Sequence, residues 1–106
     1  MARTAEVWAR LASRHNEVQD FCRRWNVTEF SVFGSVLCDQ FNTNSDVDVL
    51  VAFDETVHWS LYDLVEMKQE LEKLFERRVD LIERKAIRNP FRRHAILTTR
   101  HVLYAA

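Results

Sequence analysis

A glycine–serine pair followed at fixed spacing by two aspartates is the stretch of this sequence best suited to chemistry. Gly34 is the only glycine among 106 residues, and ten residues separate Ser35 from the start of Asp46-Val-Asp48. Glycine is favoured where the backbone takes a positive φ or lies flat against another group. Because side chains alternate along a strand, Asp46 and Asp48 would share one face, with Cα atoms about 6.6 Å apart. Carboxylates so placed can converge on a pair of divalent metal ions.

A third acidic residue strengthens the interpretation of this stretch as a site. An Asp-x-Asp sequence alone is also compatible with a turn at a solvated strand edge. Asp80 lies in a second short β-like run, residues 77–83, where Asp80 and Ile82 would face one side and the residues between them the other. Two carboxylates on one face repel each other without a cation, which predicts a raised pKa for at least one of them.

Helices and short strands are predicted to alternate around these residues. Apolar residues at helical spacing between residues 4 and 25 predict one amphipathic helix, or two with a break near Ser13–Asn16. The predicted strands are Val27–Phe33, Asp46–Phe53 and Arg78–Ile82. Between the first two strands, a short helix from Ser35 or Val36 would present backbone N–H groups to a phosphate, and a turn would follow at Asn42–Ser45.

Two further helices are marked by their capping residues. Ser60 and Asp63 resemble a capping box, with Trp59 and Leu64 placed as a hydrophobic staple, for a helix that ends near Glu76. Its predicted inner face comprises Leu61, Leu64, Val65, Lys68, Leu71, Leu74 and Phe75. Asn89 and Pro90 are typical of the start of a short helix over Phe91–Leu97, and Val102–Tyr104 is a terminal apolar run.

These elements predict an α/β (α+β) fold, with a small mixed sheet of three or four strands flanked by helices. Residues 1–106 are sufficient for one domain with a single core. No apolar stretch approaches the roughly 20 residues of a membrane span, and no signal peptide is evident. Cys22 and Cys38 form no C-x-x-C motif, so we expect free thiols in a reducing cytoplasm.

The charge of the chain is divided unevenly along its length. Residues 1–76 carry 7 Lys/Arg against 14 Asp/Glu, whereas residues 77–106 carry 8 against 2. The basic segment would suit a triphosphate, RNA or an acidic partner surface, or it would be a solvated face that balances the acidic remainder.

The pattern Gly34-Ser35, ten residues, Asp46-x-Asp48, and then Asp80 resembles the nucleotidyltransferases of the DNA polymerase β type. It is most similar to the minimal nucleotidyltransferases (MNT), which are paired with HEPN-domain proteins as toxin–antitoxin systems. The residues that carry the resemblance are Phe33–Leu37, Asp39, Phe41-Asn42, Asn44–Val51 and Asn89–Arg92.

The resemblance implies a role for each residue of the site. Asp46, Asp48 and Asp80 would be catalytic and would bind two Mg²⁺ ions, and Gly34 and Ser35 would bind the nucleotide. ATP would be the substrate, and AMP would pass to a tyrosine hydroxyl of a cognate HEPN ribonuclease toxin, which makes the chain an antitoxin. No membrane or direct nucleic-acid binding is expected, and a homo-oligomer remains open.

The loop after Ser35 departs from the family pattern. Relatives often carry arginines at the positions of Val36 and Cys38 and glycine at that of Asp39, whereas here no basic residue follows Ser35 before Lys68. Triphosphate binding would therefore depend on Arg77, Arg78, the basic C-terminal segment or a partner.

Three other functions are compatible with the same residues. The chain could neutralise its partner by binding with little or no catalysis, which the uncharged loop favours. It could modify an aminoglycoside-like small molecule, although there is no second domain to hold one. A glycosyltransferase that uses Asp-x-Asp is disfavoured by Gly34-Ser35 and by the short chain.

Overall fold

The protein is described by a computed structural model that covers residues 3–106. Its helices are α1 (Thr4–Arg10), α2 (His15–Arg24), α3 (Leu61–Phe75) and α4 (Pro90–Thr99). Its strands are β1 (Val27–Phe33), β2 (Val47–Phe53), β3 (Val79–Glu83) and β4 (His101–Ala105). Two short 3₁₀ turns follow β1 and β3, at Gly34–Leu37 and Arg84–Ala86. The predicted mixed α/β (α+β) class is confirmed.

The strands form one mixed sheet in the order β3-β2-β1-β4. β1 is antiparallel to both of its neighbours, β2 and β4, whereas β2 and β3 are parallel. A parallel pair needs a crossover connection, which α3 supplies between the end of β2 and the start of β3. As a result, β2 and β3 begin at the same edge of the sheet.

Both faces of this sheet are covered by helices. The alternating valines of β2 pack into the main core against apolar residues of α1, α2 and α3. On the opposite face, Leu50 packs with Ile87 and Ile96, and the latter belongs to α4. Because side chains alternate along a strand, Asp48 lies on the face of Leu50 and α4. Among residues 3–106, no helix is long and apolar enough to cross a membrane.

The strand predictions are accurate to about one residue. β1 has the predicted bounds, β2 begins at Val47 instead of Asp46, and β3 is displaced by one residue relative to Arg78–Ile82. The terminal apolar run forms β4, which adds a fourth strand beside β1. Cys22 is buried and Cys38 is exposed, and both are free thiols.

The two helix predictions that precede β2 have different outcomes. The first helical region is two helices, as one of the two predicted alternatives has it. The break falls at residues 11–14, which overlaps the predicted Ser13–Asn16, because Ala12 and Ser13 adopt positive φ angles of 59° and 55°. The helix expected from Ser35 or Val36 is only a four-residue 3₁₀ turn that begins at Gly34.

The start of α3 is as predicted, but its inner face is partly wrong. Ser60 Oγ accepts from the Asp63 N–H at 3.2 Å and Asp63 Oδ2 accepts from the Ser60 N–H at 2.8 Å, so the capping box is present. Leu61 is 77% exposed and Val65 is 46% exposed, whereas Met67 is fully buried. At 3.6 residues per turn, Val65 lies about 160° around the helix axis from Met67.

An ion pair joins β1 to the C-terminal end of α4. Arg100 Nε donates to Glu29 Oε2 at 2.8 Å, and the buried Ser31 hydroxyl donates to the same oxygen at 3.2 Å. Both charged side chains are only about one-fifth exposed. The hydrogen bond from Arg100 is the main reason why the pKa of Glu29 lies below its ordinary value of 4.5.

We expect Glu29→Gln to lower the free energy of unfolding by about 1.5–3 kcal/mol at pH 7, the value of a hydrogen bond to a charged group. Because the folded-state pKa is lowered, the stabilisation is complete above pH 4.5 and is lost as the pH falls through the folded-state value. Denaturant unfolding of both proteins between pH 3 and pH 7 measures the difference. Asp20→Asn, at an exposed ion pair, is the control; equal stability of wild type and Glu29→Gln at pH 7 would contradict the prediction.

Candidate active site

Parallel pairing of β2 and β3 places two of the predicted site residues side by side. Asp48 and Asp80 are direct partners in the register, each one residue after the first residue of its strand. Neighbouring strands are about 4.8 Å apart, so two like charges are held close together by backbone hydrogen bonds. Asp48 is half-buried, whereas Asp80 is exposed on the edge strand.

The half-buried position of Asp48 makes its charged form unfavourable. Burial raises the pKa of Asp48 above its ordinary value, and the negative charges of Asp80 and Asp46 raise it further. The positive charge of Arg92, on α4, acts in the opposite direction on this pKa. A raised pKa within the group is the direction that the sequence pattern predicts. Negative charge therefore accumulates at the start of β2 and β3.

Gly34 lies directly against the Asp48 carboxylate. Its φ is 73°, in the region that favours glycine, and a Cβ atom at this position would be 2.4 Å from Asp48 Oδ2. That separation is far below any van der Waals contact, so a larger residue would displace the carboxylate. The single glycine of the chain thus allows the end of β1 to turn tightly beside Asp48.

Ser35 and Asp46 are linked through the backbone. The Ser35 hydroxyl donates to the carbonyl oxygen of Asp46 at 3.2 Å, which fastens the turn after β1 to the residue before β2. The Asp46 side chain is half exposed, and its Oδ1 is 3.2 Å from Nε of Arg78. The structure therefore brings Asp48, Asp80 and Gly34 together, whereas the carboxylate of Asp46 forms an ion pair with Arg78.

Two arginines from other elements hold the loop between β1 and β2. Arg10 of α1 donates to the carbonyl oxygens of Val36 at 2.8 Å and Cys38 at 2.9 Å. Nothing in the sequence signals this contact, because Arg10 is 26 residues away from Val36 along the chain.

Arg77 supports the other half of the same loop. It donates to the carbonyl oxygens of Asn42 at 2.7 Å and Ser45 at 3.2 Å. Its guanidinium carbon lies 4.2 Å from the centre of the Phe41 ring, and that of Arg10 lies 5.6 Å from the same ring. Both side chains therefore have a structural role in positioning the loop.

The aspartates have the chemistry of a divalent-cation site. Carboxylate oxygens are the ligands that Mg²⁺ prefers, and a cation would relieve the charge that raises the pKa of Asp48. As the side chains are placed, no three Asp, Glu, His or Cys residues within 3–106 converge on one point. Asp46 is the member directed elsewhere, towards Arg78. Asp48 and Asp80 lie side by side, whereas Asp46 would have to leave Arg78 before the three carboxylates could hold one cation.

A large open cavity lies away from these aspartates. It has a volume of about 680 Å³ and is lined by residues that include Thr28, Phe53, Glu83 and Arg93. Phe53 and Glu83 are the last residues of β2 and β3, whereas Asp48 and Asp80 are near the first residues of these strands. Acidic and basic side chains both line this cavity, and Asp46, Asp48 and Asp80 lie at the other end of the sheet.

Comparison with known proteins identifies the family of this chain. A family model described as a nucleotidyltransferase domain matches residues 17–103. The protein adenylyltransferase MntA of Thermococcus cleftensis is 33% identical over 84 residues, which cover 79% of this chain and 80% of that protein. MJ1379 of Methanocaldococcus jannaschii, whose name describes it as a protein adenylyltransferase, is 34% identical over 73 residues, or 69% of this chain and 73% of that protein.

Solved structures share the fold. One described as a minimal nucleotidyltransferase has a TM-score of 0.73 at 30% identity, over 94% of this chain and 98% of that chain. A toxin–antitoxin structure with AMP-PNP has a TM-score of 0.71 at 19% identity, over 87% of this chain and 73% of that chain, which is a likeness of fold alone. The chain belongs to the nucleotidyltransferase domain family and is a homologue of the protein adenylyltransferase MntA.

Proposed function

We propose that this protein is a Mg²⁺-dependent adenylyltransferase that transfers AMP from ATP to a tyrosine hydroxyl of a HEPN-domain toxin, and that it acts as the antitoxin of that toxin. The observation that carries the proposal is the Asp48–Asp80 pair, with the backbone of Gly34 against Asp48. The name of the Thermococcus cleftensis relative supports protein adenylylation. A structure that shares the fold is a tri-AMPylated Shewanella oneidensis HEPN toxin in complex with an MNT antitoxin.

The three aspartates share one role in this reaction, and Asp80 has a second. Asp46, Asp48 and Asp80 would hold two Mg²⁺ ions, which supply Lewis-acid stabilisation of the triphosphate and lower the pKa of the acceptor hydroxyl. Asp80 lies on the edge strand and is exposed, so a hydroxyl on another protein can reach it. We therefore assign to Asp80 the acceptance of the tyrosine proton.

Gly34 and Ser35 are assigned to the phosphates of the nucleotide. Without a side chain at Gly34, the nucleotide can approach the backbone at the end of β1. The Ser35 hydroxyl already donates to Asp46, so the backbone N–H at the start of the 3₁₀ turn is the donor to phosphate. The tyrosine oxygen then forms a bond to the α-phosphorus, the bond to the β-phosphate oxygen breaks, and pyrophosphate leaves. This use of ATP is in keeping with a cytoplasmic protein.

Neutralisation of the toxin by binding alone is the second candidate function. It is favoured by the composition of the loop after Ser35, because residues 36–45 contain no Lys or Arg to neutralise a triphosphate.

The transfer reaction is tested with ATP labelled at the α-phosphate, Mg²⁺, this protein and a cognate HEPN-domain protein. We expect the label on the HEPN protein, and a rate at least about 100-fold lower for Asp48→Asn and Asp80→Asn. Asp20→Asn, at an exposed carboxylate on α2, is the matched control. A stable complex that acquires no label would favour neutralisation by binding instead.

The raised pKa of Asp48 predicts that its charge lowers stability without metal. The folded chain binds this proton more tightly than the unfolded chain, so stability falls as the pH rises from 3.8 through the folded-state pKa and remains lower above it. In the presence of a chelator, Asp48→Asn should unfold at a higher temperature than wild type at pH 7 and lose this advantage below pH 3.8.

Magnesium should reverse the order of stability. Since a bound cation stabilises the folded state, Mg²⁺ should raise the unfolding temperature of wild type more than that of Asp48→Asn. An equal increase for both proteins would rule out Asp48 as a metal ligand.

Gly34→Ala tests the close approach of the turn to Asp48. We expect a loss of roughly 1–3 kcal/mol in the free energy of unfolding from the positive φ, and weaker AMP-PNP binding because the carboxylate is displaced. Gly34→Asn separates the two effects, since asparagine tolerates positive φ but still carries a Cβ atom. Denaturant unfolding and AMP-PNP titration measure both, and wild-type behaviour of Gly34→Ala would show that the contact is unimportant.

A further inference from the structure

A triphosphate needs cationic partners in a site that is itself acidic. The loop that follows Gly34 and Ser35 supplies none, because residues 36–45 contain no Lys or Arg. Arg10 and Arg77 reach this loop from elsewhere in the chain, and one guanidinium nitrogen of each donates to two backbone carbonyls. These contacts fix both side chains on the loop, so arginines outside it are better placed to turn towards a phosphate.

Arg78 is one arginine that lies directly against the aspartates. Its Nε atom is 3.2 Å from Asp46 Oδ1, and its side chain is 80% exposed. An ion pair as exposed as this one contributes little to stability, so the guanidinium can exchange Asp46 for another anion. A planar guanidinium binds phosphate oxygens with two parallel hydrogen bonds, which a side-chain amine cannot do.

Arg92 is a second arginine near the aspartates, and it belongs to α4, the helix that covers the same face of the sheet as Asp48. Ile96 of α4 packs on Leu50, which is two residues after Asp48 on the same face of β2. Arg92 precedes Ile96 by one helical turn and so lies on the side of α4 that faces the sheet. Its guanidinium is exposed and makes no hydrogen bond or ion pair with any residue in the described range 3–106, although its charge acts on the pKa of Asp48.

We propose that Arg78 and Arg92 bind the phosphates of the nucleotide from two sides of the aspartate group and take the place of cations in the loop after Ser35. This inference rests on the proposed function. It also gives Arg78 two partners, Asp46 without nucleotide and phosphate with it. Arg78 and a divalent cation therefore compete for Asp46 when no nucleotide is bound.

The competition predicts opposite effects of one substitution on two ligands. In Arg78→Ala, Mn²⁺ alone should bind a few times more tightly, because Asp46 is released, whereas AMP-PNP with Mg²⁺ should bind about tenfold more weakly. Arg92→Ala should weaken AMP-PNP binding by a similar factor. Arg78→Lys should recover only part of the loss, since it retains the charge without the planar guanidinium.

Titrations of Mn²⁺ by paramagnetic relaxation and of AMP-PNP by calorimetry supply the two readouts. Arg23→Ala, at an exposed arginine on α2, is the control for loss of one positive charge. If wild type binds AMP-PNP and both arginine variants bind it as tightly as Arg23→Ala does, the assignment of these arginines is wrong and the proposed function stands. If wild type itself does not bind AMP-PNP with Mg²⁺, the proposed function and this inference both fail.

Discussion

The parallel pairing of β2 and β3 is the constraint on which the rest of the site depends. It sets Asp48 directly beside Asp80, in spite of their like charges and the partial burial of Asp48. Backbone hydrogen bonds and the apolar residues that alternate with the aspartates keep both strands in register. The crossover helix α3 makes that pairing possible, and its buried stripe of Met67, Leu71 and Phe75 fixes the helix on the sheet. The packing of the hydrophobic core thus offsets the repulsion between the carboxylates of Asp48 and Asp80.

Arginines around the aspartates have distinct functions even though the side chains are identical. Arg10 and Arg77 bind carbonyl oxygens and fix the loop after Ser35. Arg100, at the C-terminal end of α4, donates to Glu29 and so attaches that helix to β1. Within residues 3–106 the side chain of Arg78 is paired with one exposed carboxylate, which leaves it able to exchange that partner for a ligand. The role of each arginine therefore depends on the groups that surround its guanidinium and cannot be read from the residue type.

Local signals explain why most of the fold could be predicted from the sequence. The β-branched run after Asp46, the capping box at Ser60 and the Asn89-Pro90 helix start each depend on a few neighbouring residues. The exposed position of Val65 was missed because it depends on which stripe of α3 faces the sheet. The contacts of Arg10 were also missed, since they join residues that are far apart in the chain. The candidate site residues were predicted from their spacing, whereas their neighbours could be identified only in the folded structure.

Arg10 and Arg77 both contact the loop of residues 36–45 and its Phe41 ring, and this has a mechanical consequence. Arg10 attaches α1 to this loop, and Arg77 attaches to it the segment that leads into β3. The turn that begins at Gly34 is consequently held in shape before any nucleotide arrives, and little conformational entropy is lost when it binds. Helix α1 is in this sense part of the framework of the candidate active site, although it contributes none of the predicted site residues.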